Sequence, residues 1–79
     1  MTIEAFREFT RTRPFQPSFV HLADGRMFLV RHPDAASLSR SGRTVSILNE
    51  FRTIEVVDML LVTSLRPLSD VESRRPNPR

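Results

Sequence analysis

The sequence predicts a mainly β domain: one short N-terminal helix, then five short antiparallel strands closing into a small barrel. Three observations carry this. Apolar residues recur at helical spacing only before Pro14, where Ile3, Phe6 and Phe9 share one stripe. From Ser18 onward the apolar residues alternate instead, in short segments rich in valine, isoleucine and phenylalanine. Those segments are separated by turn-forming stretches: Ala23-Asp24-Gly25, Arg40-Ser41-Gly42 and Asn49-Glu50.

The helix is expected within residues 2–13. Thr2 suits the N-cap, Glu4 lies in the first turn where a carboxylate favours the helix dipole, and Arg11 and Arg13 fall near the far end. Glu4–Arg7 and Glu8–Arg11 have ion-pair spacing, and Pro14 ends the helix by restricting the residue before it. A helix this short needs a surface to cover.

"SFVHL" and "RMFLV" flank a hairpin turn. A two-residue Asp24-Gly25 turn would set Val20 and Leu22 beside Met27 and Leu29. A three-residue loop, with Gly25 left-handed, sets them with Phe28 and Val30. The second gathers the β-branched and aromatic residues on one face, so it is the register expected. It leaves Phe19, His21, Met27 and Leu29 on the other face, covered either by the helix or by another chain.

Further along, "AASLS" is a weak strand, and "RTVSILN" brings Val45 and Ile47 together. A tight Asn49-Glu50 turn leads to "FRTIEVV", with Ile54 and Val56 inward and Phe51 and Val57 outward. Asp58-Met59 turns into "LLVTSL", which Pro67 ends. The expected core is Val20, Leu22, Phe28, Val30, Val45, Ile47, Ile54 and Val56. Residues 1–68 form a single domain, and residues 69–79, with three arginines and two prolines, read as a disordered tail.

Composition narrows function mainly by exclusion. With 79 residues there is room for one modest core. Cysteine is absent, which rules out disulfides, a thiolate nucleophile and a thiolate zinc site. No apolar run is long enough to span a bilayer, and charges interrupt the first fifteen residues, so a cytoplasmic protein is expected. All twelve basic residues are arginine. Codon bias accounts for this, as would selection for bidentate phosphate contacts. The net charge is only +3, spread at about +1 over each of residues 1–13, 14–68 and 69–79.

The order of elements resembles the SH3-like and Sm-like barrels, most of all the bacterial Sm-like RNA chaperones of the Hfq type. The residues that carry the likeness are the helix, "VHLADGRMFLV", "TVSIL", "TIEVV" and "LVTSL", with Leu22, Asp24 and Gly25 the most specific. Two features depart from that pattern. "MFLVRHP" has no glycine where the second Sm strand bends, and "VVDML" stands where those chaperones carry a Tyr-Lys-His segment of their RNA pocket. The phrase "LADGRMFLVRHPD" also looks like a theme among small uncharacterised bacterial proteins, which implies no function.

His32-Pro33-Asp34 resembles the tripeptide of J-domain co-chaperones, where it joins two long helices. Strand-like segments flank it here, so it reads as strand punctuation: Pro33 removes a ladder donor and Asp34 favours a turn. His21 and His32, the only histidines, are expected to diverge, which leaves no metal site. No catalytic or cofactor-binding group is expected either, and Gly25 and Gly42 are too few for a phosphate loop. Exposed apolar residues are the remaining signal. Phe19, Met27, Leu29, Phe51 and Leu61 are the candidate interface of a non-enzymatic, self-associating module that takes a homo-oligomeric or protein partner and no small-molecule substrate. The alternative is an Sm-like RNA-binding protein, with Arg26, Arg31, Arg43, Arg52, Arg74 and Arg75 as its weak phosphate contacts.

Overall fold

Thr2 caps helix α1 (Ile3–Arg11), its side-chain oxygen accepting from the Ala5 N–H at 3.1 Å. The structure, a computed structural model, describes the backbone of residues 1–73 and the side chains of residues 1–70. After α1 come β1 (Ser18–Leu22), β2 (Met27–Val30), a single 3-10 turn (Pro33–Ala35) and β3 (Ala36–Leu38). Then follow β4 (Thr44–Leu48), β5 (Ile54–Asp58), a second 3-10 turn (Met59–Leu61), β6 (Val62–Pro67) and helix α2 (Leu68–Ser73).

The strands form two antiparallel three-stranded sheets, ordered β2-β1-β6 and β3-β4-β5. This corrects the expected closed barrel of five strands: there are six, and no ladder joins the sheets among the described residues. The break falls at His32-Pro33-Asp34. Pro33 has no N–H for a ladder, the Ala35 N–H donates to the His32 carbonyl at 3.0 Å, and the chain restarts as β3 against β4. The weak segment "AASLS" is therefore a strand in its own right, anchored by buried Ala36 opposite Ile47.

The first hairpin has the expected register, Val20 opposite Phe28 and His21 opposite Met27, with Gly25 at φ +93°. The third does not. Its loop is Glu50-Phe51-Arg52, not Asn49-Glu50, and Arg52 occupies the left-handed region at φ +64°. Asn49 holds the loop, its side-chain oxygen accepting from the N–H groups of Phe51 and Thr53 at 2.9 and 3.1 Å. The longer loop pairs Leu48 with Ile54 and Val45 with Val57. Ile54 and Val56 are consequently exposed, each at 65%, and Val57 is buried in their place.

The core lies between the sheets: Val20, Leu22, Val30 and Val62 from one, Ala36, Val45, Ile47 and Val57 from the other. Phe28 is half-buried at its edge. Helix α1 contributes Phe6, which is fully buried, and Phe6, Phe9 and Phe15 form a run of ring contacts at 5.6 and 5.2 Å. The Met1 ammonium donates to the Val62 carbonyl at 2.9 Å, and Ile3 packs against Gly42. The helix thus covers the core and the β3–β4 turn and leaves Met27 54% exposed. Its expected Glu–Arg ion pairs do not form; the ion pairs among the described residues are Asp24–Arg26, Arg26–Glu55 and Arg31–Glu50.

The sequence reading starts a tail at residue 69, but the backbone continues as α2 through Ser73, docked by the Leu68 N–H on the Pro17 carbonyl at 2.8 Å. The remainder of that tail, with Arg74 and Arg75, lies outside the described residues.

Candidate interaction surface

Register and turn length decide which side chains face outward. On the β3-β4-β5 sheet the outer face carries Leu48 opposite Ile54 and Ser46 opposite Val56. Leu48 is 45% exposed, and Phe51, at the tip of the neighbouring turn, is 87% exposed. Large side chains on a half-solvated face are normally polar. Here Leu48, Ile54 and Val56 leave one apolar stretch along β4–β5, with Phe51 exposed at its turn.

The residues expected at an interface divide between the two sheets. Phe51 and Met27 are exposed. Phe19 and Leu29 face each other across β1 and β2 and are half-buried. Leu61 packs against the core from the second 3-10 turn, where its carbonyl accepts from the Ala23 N–H at 2.8 Å. That turn instead exposes Leu60, at 85%. Leu48 and Leu60 are not among the interface residues expected from the sequence, and Ile54 and Val56 are expected in the core instead. Arg52 gives no glycine-like warning that the β4–β5 loop is one residue longer than it looks.

The candidate nucleic-acid residues do not merge into one basic surface. The Arg26 Nε donates to Asp24 at 2.9 Å, its Nη1 lies 3.9 Å from Glu55, and its guanidinium sits 5.9 Å over the Phe28 ring. Arg31 pairs with Glu50 at 3.2 Å. Arg43 lies at the opposite end of β4 from Glu50, on the rim of a largely apolar groove of about 430 Å³ with Met1, Ile3, Gly42, Met59 and Leu60. The Arg26 N–H donates to Asp24 and lowers the pKa of its carboxyl from the usual aspartate value, against an opposing desolvation; the Arg26 guanidinium adds to the lowering.

His21 stands opposite Met27 on the outer face of β1, and His32 is exposed before the first 3-10 turn. Among the described residues no group of three or more histidines and carboxylates is placed to hold a metal, and no helix is long and apolar enough to cross a membrane.

Fold and surface together define a small two-sheet β domain with a helix over its core and an apolar stretch along one sheet. No family model matches the chain, and neither a curated protein nor a solved structure shows significant similarity to it.

Proposed function

We propose that the chain is a non-enzymatic cytoplasmic interaction module that self-associates through its exposed β4–β5 hairpin. The observation that carries this is the apolar stretch of Leu48, Ile54 and Val56 on one sheet face, with Phe51 exposed at the adjoining turn, on so small a molecule. A side chain of this kind is worth about 1.5–3 kcal/mol when fully buried, so the partial cover that Ile54 and Val56 gain from a neighbouring copy helps to offset the entropy of association. The proposed likeness to SH3-like and Sm-like domains would have the break at Pro33 take the place of their glycine bend.

The test is the mass of the full chain in solution. A multiple of 9.1 kDa is expected, returning to 9.1 kDa in Ile54→Glu with an unchanged circular dichroism spectrum. A monomer at high micromolar concentration would remove the reading. A complex that Ile54→Glu leaves intact and Met27→Glu disperses would move the interface to the β2-β1-β6 sheet.

A further inference from the structure

The two sheets have four edges, β2, β6, β3 and β5, and three of them carry devices that discourage pairing with another chain. Strand β2 is flanked by Arg26 and Arg31, whose side chains are 47% and 58% exposed. Strand β6 ends in Arg66 and Pro67, and its register against β1 is interrupted between His21 and Leu22. Strand β3 has three residues and follows a proline-initiated turn. Strand β5, Ile-Glu-Val-Val-Asp, has five residues, no proline and no basic side chain. Its one inward charge, Glu55, is already engaged by Arg26 at 3.9 Å.

The hydrogen-bond phase of β5 says which of its groups are free to pair. Asn49 donates to the Thr53 carbonyl, and the Met59 N–H donates to the Arg43 carbonyl. Antiparallel ladders alternate, so Glu55 and Val57 also bond to β4, while Ile54, Val56 and Asp58 turn their N–H and C=O groups away from it.

We propose that the partner is a second copy of this chain, added antiparallel along β5 with Val56 opposite its own counterpart on a two-fold axis. This rests on the self-association reading and specifies its geometry. Ile54 then stands opposite Asp58 and Glu55 opposite Val57, so no two like charges meet and all three outward-facing residues pair, making about six hydrogen bonds. Sliding the copies by two residues one way sets Glu55 against Glu55. Sliding them the other way takes Ile54 out of the ladder. Like charge in one direction and ladder length in the other therefore select one register. It joins the two sheets into one, and Val56, Ile54 and Leu48 of both copies run along its outer face.

The chain has no cysteine, so a single introduced thiol reports the register. Opposed, mutually hydrogen-bonded residues have Cα atoms about 5.5 Å apart, within reach of a disulfide. The two copies of residue 54 would lie roughly 13 Å apart, beyond reach. Mild oxidation of Val56→Cys at low micromolar concentration is expected to give a covalent dimer, and Ile54→Cys is expected to give none. Val56→Pro, which deletes an N–H that β4 does not use, is expected to run as a monomer. A dimer in which both thiols cross-link equally, or which Val56→Pro leaves intact, would overturn the strand pairing while self-association stands. A monomer under all conditions would overturn both.

Discussion

Arg52 occupies a left-handed position at φ +64°, where a side chain is strained and glycine is not; Gly25 fills the equivalent position of the first hairpin at φ +93°. Opposite substitutions should therefore have opposite effects. Gly25→Ala is expected to lower stability by about 1 kcal/mol through backbone strain alone, because nothing lies within 4 Å of the added Cβ. Gly42→Ala should lose more, since its Cβ would come 2.5 Å from the Ile3 Cδ1 and disturb helix docking. Arg52→Gly should raise stability by up to about 1 kcal/mol, as left-handed strain relieved outweighs backbone entropy. Denaturant midpoints measure all three. Asp24 supplies a pH dependence. Its folded pKa lies below the unfolded one, so its contribution is present above the unfolded value and is lost as pH falls through the folded one. Its carboxyl should titrate by NMR below exposed aspartates, and Asp24→Asn should remove that part of the acid loss. A midpoint at or above that of aspartate in an unstructured peptide would contradict the assignment.

Strand parity shows how much of each element was legible in the sequence. Helix α1, β1, β2 and the first hairpin follow from local chemistry: a capping threonine, a stopping proline and an Asp-Gly turn. His32-Pro33-Asp34 was legible as strand punctuation for the same reason. The β4–β5 hairpin was not, because its left-handed residue is an arginine and Asn49 builds the loop through side-chain bonds that leave no composition signal. A one-residue change in loop length then turns every side chain of β5 to the other face. The structure makes the contrast testable. Val57→Ala is expected to lower stability by about 2 kcal/mol through lost burial and a small cavity, whereas Val56→Ala should stay within about 0.5 kcal/mol at concentrations low enough to hold the chain monomeric. Equal losses, or the reverse order, would restore the two-residue turn.

For the whole molecule, an apolar surface was foreseeable from the excess of strand-forming residues over what one small core can bury, but its position depended on that single turn. Met27 and Phe51 were legible as exposed; Leu48, Ile54 and Val56 acquire their role only from the β5 register. The charge distribution bears on the competing occupant, RNA. A net charge of +3 is small, and Arg26 and Arg31 spend part of their charge on Asp24 and Glu50. With only about two phosphates neutralised on a single strand, the slope of log K against log salt is about −1.4, and affinity drops roughly sevenfold between 50 and 200 mM salt. Uridine- or adenine-rich oligonucleotides should therefore bind weakly at low salt and negligibly near physiological salt. Deleting residues 74–79, which hold Arg74, Arg75 and Arg79, should reduce even the low-salt binding. Fluorescence anisotropy across a salt series measures both effects. Submicromolar, sequence-selective binding that survives physiological salt and loss of those residues would require a recessed, preorganised RNA site. It would make RNA, rather than a second copy, the partner of the β4–β5 hairpin.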